Sequence, residues 1–274
     1  MEKLFRLLFI GDVILPASCS AVQALVPELR RELRLDAVIA NGENSAASGF
    51  GITAETAAIL LSVVDFVTLG DHTFDQEGTG TLLEQESRII RPANFEAQMP
   101  GRGWGIFETA GVRVGVANLL GQLFMRPKVT SPFAAADQVV SELKAAGADL
   151  IIVDMQAEAT SEKQAMGWHL AGRATAVLGT HTHTPTADLR ILPGGTAYVS
   201  DVGMTGGTNG VIGFNKNFFS QLFAGEKPSG GPRQAEGPLR IDAILIEADA
   251  QTSQAVAIER IVKEYHEQAK QYQD

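Results

Sequence analysis

Two histidines separated by one residue, His181 and His183, stand in the stretch Gly179-Thr180-His181-Thr182-His183. In an extended segment this spacing projects both imidazoles to the same side, where they suit one ion or two neighbouring ions. Side chains of metal-ligating type recur at four other points: Asp12 after Gly11, Glu43-Asn44 in Asn41-Gly42-Glu43-Asn44, Asp71 in Gly70-Asp71-His72, and Gln156 in Asp154-Met155-Gln156. Taken singly, each has an ordinary explanation. Asp12 is a turn residue, Glu43-Asn44 caps the next helix, and Gly70-Asp71-His72 is a strand-to-helix turn. What distinguishes the group is position, because every member follows an apolar run of strand length. A mixed carboxylate and imidazole set without thiolates suits Mn, Fe, Zn or Mg rather than copper or an iron–sulfur cluster. Two divalent ions facing the carboxylates of Asp12, Glu43 and Asp71 retain roughly one net positive charge, and such a pair attracts a phosphodiester, polarises its oxygens and acidifies a bridging water. His72, next to Asp71 but on the other side of the chain, is placed to give a proton to a leaving oxygen.

The elements that must position these residues alternate along the chain. Phe5–Ile10 is a continuous apolar run, the mark of a strand buried on both faces, and it closes at Gly11-Asp12. Leu25, Leu29 and Leu33 share a helix face interrupted by Pro27. Residues 37–40 and 66–69 read as strands, with a short helix over 54–61 between them. Residues 106–109 and 112–118 form a hairpin around Ala110-Gly111, and a helix near 135–146 leads into a strand at 150–153. A helix over 161–170 and a strand over 174–178 complete the alternation. This order predicts an α/β fold with helices covering the central sheets, and in such sheets ligands collect at the carboxyl ends of the strands. The last third differs. After a strand at 198–200 come a glycine-rich loop over 203–213, whose part 203–210 either borders the substrate pocket or serves as a flexible connection, and a polar connector over 225–237. Residues 239–247 and 255–261 alternate as an antiparallel pair, and 263–274 read as a polar tail, either a peripheral helix or a frayed end. No repeat divides the chain, so 1–274 is expected to form one domain.

Composition narrows the function classes. With 45% apolar residues, the 274-residue chain has the material for a sizeable core. A net charge of −10 with no basic run disfavours a long nucleic acid, whereas a small anion remains compatible because bound metal inverts the local sign. One cysteine, Cys19, excludes an intrachain disulfide and a thiolate cluster, and it reads as a small packing residue. The first twenty residues resemble a signal sequence, but Asp12 interrupts the apolar stretch. No other run approaches the ~18 apolar residues of a membrane span. The expectation is a soluble, cytoplasmic protein without a membrane partner. His169 and His266 read as structural or surface residues. Glu158, Thr160 and Glu162 either orient groups behind the metal ligands or, the preferred reading, start a helix with Thr160 as its cap and Lys163 inside; Arg173 either steers a phosphate or braces a loop carboxylate.

Gly11-Asp12-Val13, NGEN, GDHTFD, RPANF, AEATSEK, MGWHLAGR, GTHTHTPTAD and DVGMTG, in this order from about Leu8 to Gly213, resemble the calcineurin-like metallophosphoesterase superfamily. More narrowly they resemble the YmdB-type family of bacterial cyclic-nucleotide phosphodiesterases. That resemblance implies a four-layer α-β-β-α sandwich, two divalent metal ions with Mn or Fe favoured, self-association, and a small phosphodiester substrate of the 2′,3′-cyclic AMP type. It also implies roles: Asp12, Asn44 and His183 on the first metal, Glu43 bridging, Asp71 and His181 on the second, and His72 near the leaving group. Two departures fall on the second metal. The family carries GNH where this chain has Gly70-Asp71-His72, and a histidine where it has Gln156. Both changes make the site harder and more anionic, which shifts preference toward Mn or Mg. They also define a competing expectation, a metal- or nucleotide-binding regulator with an impaired second site. An amidohydrolase also uses a His-x-His pair, but there it follows the first strand, not residue 180.

Overall fold

The computed structural model describes residues 4–228 and 230–266. The chain opens with β1 (Phe5–Ile10), β2 (Asp12–Val13), α1 (Leu15–Glu32), β3 (Ala37–Asn41), α2 (Ala54–Leu61), β4 (Phe66–Thr68), α3 (Thr79–Gln85) and β5 (Ile89–Ile90). A hairpin of β6 (Trp104–Thr109) and β7 (Val112–Leu120) leads to α4 (Pro132–Ala145), β8 (Leu150–Gln156), α5 (Thr160–Leu170) and β9 (Ala176–Thr180). Then follow β10 (Arg190–Leu192), β11 (Thr196–Val199), β12 (Met204–Phe214), α6 (Lys216–Phe223), β13 (Gln234–Asp249) and β14 (Gln254–Tyr265).

Among the described residues these strands make two sheets. The first runs β2-β12-β13-β1-β3-β4-β5, with β14 also on β13, and the second runs β10-β11-β9-β8-β7-β6. Within the first, β1, β3, β4 and β5 are parallel, and within the second β7, β8, β9 and β11 are parallel. Strand alternation then dictates the layers. From β1, Leu8 and Ile10 pack with Val22, Leu25 and Leu29 of α1 and Leu60 of α2. The intervening Leu7 and Phe9 face Val116, Ile152 and Leu178 of the second sheet. On the far side, Ile151, Val153 and Met155 pack against Val139 and Leu143 of α4 and Met166 and Leu170 of α5. The result is the four-layer α-β-β-α sandwich, with a core in each of its three interlayer spaces. Among the described residues no helix is long and apolar enough to cross a membrane.

Several boundaries depart from the sequence expectation for physical reasons. The glycine-rich stretch expected as a loop is the strand β12, paired antiparallel to β13 and parallel to β2. Small residues there permit close approach, and its register shifts between Gly207 and Asn209 bend the ladder instead of ending it. The expected tail begins in β14, which carries Lys263–Tyr265 of that segment as strand, and 267–274 lie outside the described residues. Thr160 is the first residue of α5, not its cap; the preceding Ala159 takes the cap position without a side-chain hydrogen bond.

Candidate metal centre

The parallel strands of both sheets end at one place. Gly11 carries the chain from β1 to Asp12, β3 ends beside Glu43-Asn44, and β4 ends two residues before Gly70-Asp71-His72. From the opposite sheet, Gln156 is the last residue of β8, and Thr180 of β9 leads into His181 and His183. The His181 amide donates to Asp12 Oδ2 at 3.2 Å across 169 residues of sequence, and His183 Nε2 lies 3.2 Å from Asn44 Oδ1. His181 Nδ1 lies 3.2 Å from Asp71 Oδ1, and Gln156 Nε2 touches Glu43 Oε1. All seven expected ligand residues therefore converge. Gly70 is required by this convergence, because a Cβ there would collide with the Glu43 carboxylate and the Gln156 side chain.

Hydrogen-bond accounting separates the convergence into two clusters. In the first, among the described residues, His183 Nδ1 faces only the Ile212 carbonyl, at 3.1 Å, so Nδ1 carries the proton and donates it. Nε2 then presents a lone pair toward Asn44 Oδ1, whose own Nδ2 is committed to the Gly49 carbonyl at 3.0 Å. Asp12 Oδ1 stands 3.9 Å from the same Nε2 and, among the described residues, is buried with no hydrogen-bond donor. With Asp12 ionised, an imidazole nitrogen, an amide oxygen and a carboxylate oxygen face one another with no hydrogen between them, a set that a divalent cation satisfies.

The second cluster comprises Glu43, Asp71 and His181, which offer ligand atoms all within 4.8 Å of one another. Gln156 reaches into its middle. The Asn41 Oδ1 accepts the Glu43 amide at 3.1 Å, so Asn41 Nδ2 must point at Asp154 Oδ2, 3.0 Å away, and at Gln156 Oε1, 3.3 Å away. That orients the Gln156 amide: its oxygen faces Asn41 and the Thr180 hydroxyl, and its NH2 faces Glu43 Oε1, Asp71 Oδ1 and His181 Nδ1. The second cluster is therefore partly satisfied by a side-chain donor, whereas the first is not.

Burial and crowding of like charge set the titration of these groups. Burial, reinforced by Asp201, raises Asp12 to about 7. Burial first, then Asp71 and Asp12, push Glu43 well above the usual carboxylate range. Asp71 runs the other way: burial raises it, but the His181 hydrogen bond and the charge of His72 more than compensate, leaving it at about 2. His181 is correspondingly raised, by its bond to Asp71 against the opposing effect of burial. Burial lowers His183 to about 4, which keeps its lone pair available near neutrality.

Several participants lack a signal that sequence alone distinguishes. Asp75 accepts from His72 Nδ1 at 2.7 Å, and Arg126 holds Asp75 through Nη2 at 2.7 and 2.8 Å. The Phe50 ring packs on the His72 ring with centroids 4.7 Å apart. Glu158 Oε2 lies 3.2 Å from His181 Nε2. Beneath the centre, Asp154 ties both sheets together by accepting from Thr68 at 2.5 Å, Thr180 at 2.6 Å and Asn41 at 3.0 Å. Of the remaining histidines, His169 pairs with Asp137 at the surface, away from these residues.

Comparison with known proteins finds the same fold in solved structures and relatives along nearly the whole chain. Residues 8–261 match the family model described as YmdB-like protein. The chain is 41% identical to the 2′,3′-cyclic-nucleotide 2′-phosphodiesterase of Bacillus subtilis (strain 168), over 94% of this chain and 96% of that protein. A crystal structure of a hypothetical protein from Thermus thermophilus superposes with a TM-score of 0.86 at 40% identity, covering 95% of this chain and 99% of that one. A novel phosphatase from Mycoplasma pneumoniae superposes with a TM-score of 0.87 at 30% identity, covering 96% and 95%.

Proposed function

The chain belongs to the YmdB-like family, and from that premise we propose that it is a metal-dependent phosphodiesterase hydrolysing a small cyclic nucleotide of the 2′,3′-cyclic AMP type. The observation that supports the metal dependence is the convergence of Asp12, Asn44 and His183, with Asp12 Oδ1 buried and lacking a donor among the described residues, beside the acidic cluster of Glu43, Asp71 and His181. In this reading Asp12, Asn44 and His183 would hold a first divalent cation, Asp71 and His181 would hold a second, more weakly because of Gln156, and Glu43 would serve both. Cations held there would supply neutralisation of the phosphate charge and acidification of the attacking water. The competing reading, a nucleotide- or metal-binding regulator, is favoured by the Gln156 amide lying among the second cluster's acceptors. Assay of chelator-treated protein with 2′,3′-cyclic AMP, with and without Mn, separates the two. Adenosine monophosphate formed only with Mn supports the enzyme; nucleotide binding without turnover sinks it.

His72 is the proton donor in this scheme. Its Nδ1–H is held by Asp75 and its Nε2 lies 3.6 Å from Asp71 Oδ2, so the donor would be the imidazolium form, which gives its Nε2 proton to the leaving ribose oxygen and is left neutral with Nδ1–H still on Asp75. An alkoxide needs that proton, whereas p-nitrophenolate leaves without one. His72→Asn is therefore expected to lower kcat on 2′,3′-cyclic AMP by about 10²–10⁴-fold, with a far smaller loss on bis-p-nitrophenyl phosphate. Equal losses on both substrates would remove His72 from this role.

Stability without metal should fall with rising pH. Asp12 and Asp154, each raised to about 7 with burial as the main cause, contribute stability that is present below their unfolded pKa and lost as pH rises through 7. Glu43 and His181 are also raised and act in the same direction, whereas Asp71 and His183 titrate at about 2 and about 4. Chelator-treated protein is thus expected to melt several degrees lower at pH 8 than at pH 6.5, with Mn restoring the difference. A melting temperature that is flat or rising over this interval would contradict the assignment of uncompensated carboxylates.

A further inference from the structure

The two imidazoles of the centre sit on strained backbone. His181 has φ of 100° and His183 a φ of 61°, in the left-handed region that residues with a Cβ avoid. Such a turn persists only where its surroundings hold it, and the residues around it supply an unusual restraint.

Lys163 on α5 is 1% exposed, and its Nζ donates to the Thr180 carbonyl and to Asp201 Oδ2, both at 2.8 Å. Asp201 is equally buried and spends the same Oδ2 on the Thr182 amide at 3.1 Å and the Thr182 hydroxyl at 2.8 Å. Its Oδ1 accepts the Gly203 amide at 2.9 Å, and the Gly203 carbonyl in turn accepts the Asp12 amide at 3.1 Å. Lys163 thus grips the residue before His181, and Asp201 grips the residue between the two histidines and the strand end bearing Asp12. Gly179 makes room for this, since a Cβ there would meet the Lys163 side chain and the Ser200 carbonyl. Burying an ammonium and a carboxylate together is costly unless their hydrogen bonds are satisfied, and every bond described here ends on the histidine turn or its neighbours.

We propose that Lys163 and Asp201 form a positioning clamp that holds the strained Thr180–His183 turn so that both imidazoles and Asp12 face the same cations. The proposal rests on reading these residues as metal ligands. It assigns a task to three sequence motifs, AEATSEK, GTHTHT and DVGMTG, that otherwise contribute separately.

The test uses the full chain carrying Lys163→Met, Asp201→Asn, both together, or Thr182→Val. Two readouts are needed: Mn affinity by electron paramagnetic resonance, and amide exchange at residues 180–183 referenced to β8. Each charge variant is expected to bind Mn about 10–100-fold more weakly, the usual cost of losing a group that orients ligands. Exchange at 180–183 should accelerate while β8 stays protected. The double variant should lose about as much as either single one, because the pair acts as a unit. Should the charge variants fail to fold, Thr182→Val removes one donor to Asp201, leaves the ion pair intact, and is expected to show the same two changes in smaller measure. Folded variants in which either readout is unchanged overturn the clamp, since a merely structural pair lowers the melting temperature without moving Mn affinity. If the unmutated protein binds no Mn, the metal reading itself fails, and unchanged exchange at 180–183 would then overturn the clamp separately.

Discussion

Glu43→Gln is expected to reduce turnover of bis-p-nitrophenyl phosphate by about a thousandfold, taking ~4 kcal/mol as the charge stabilisation a carboxylate-held metal centre supplies. The substitution keeps the shape of the side chain and removes its charge. One oxygen suffices for the 3.1 Å bond accepted from the His72 amide, so the backbone of the Gly70-Asp71-His72 turn keeps its anchor. The other position becomes an NH2 facing the NH2 of Gln156, a donor against a donor, and it can no longer bind a cation. Stability should change through its pH dependence: Glu43 is fully buried beside Asp71 and Asp12, so its ionisation is strongly disfavoured, and the amide removes the cost of ionising it as pH rises while adding the donor-against-donor contact at every pH. Steady-state kinetics with saturating Mn, paired with thermal melts of chelator-treated protein, check both halves. A variant that keeps activity within about tenfold would mean the several kcal/mol expected of the carboxylate are not drawn from it, and the proposed centre would lose its middle.

The strand ends were legible in the sequence because burial on both faces leaves a continuous apolar signature, and the residue that breaks it is conspicuous. Asp12, Glu43 and Asp71 stand out for that reason. The same alternation also contained information that is recognised only with the sheets in view. Ile152, Asp154 and Gln156 share one face of β8, and Ile152 belongs to the core between the sheets. Asp154 therefore points into that space, where it meets Thr68 and Asn41 of the opposite sheet. Nothing in a single strand announces its partner across a sandwich. Lys163 is silent for a related reason: its place inside a helix does not say which side it faces, and only the proximity of Asp201, 38 residues later, explains its burial. The glycines of β12 misled in the other direction. Their composition signals freedom, but the strand draws its order from β13 and β2, so pairing overrides local preference.

Gln156→His is expected to raise Mn stoichiometry, converting a protein with one tight and one weak position into one with two tight positions. The reason lies in which atoms meet. The wild-type amide aims its NH2 at Glu43, Asp71 and His181, so it stands among the acceptors a second cation would use, and its oxygen is held away by Asn41 and Thr180. A ligand oxygen would require the amide to turn over and break both of those bonds. An imidazole replaces the donor by a lone pair, in a set already rich in carboxylate. The groups it releases are not stranded, because Asn41 Nδ2 and the Thr180 hydroxyl each retain an oxygen of Asp154, at 3.0 and 2.6 Å. The gain in affinity at the second position is expected to be about 10–100-fold, read by equilibrium dialysis with metal analysis. The first position should change much less, because Asp12, Asn44 and His183 share no hydrogen bond with Gln156 and the two are linked only through Glu43. If the unmutated chain already takes up two Mn with equal affinity, the amide turns freely and no longer obstructs the site. If the variant gains nothing, the side chain at position 156 does not face the second cation at all, and the weak position must be traced instead to Asp71 and His181, which are already engaged with each other at 3.2 Å.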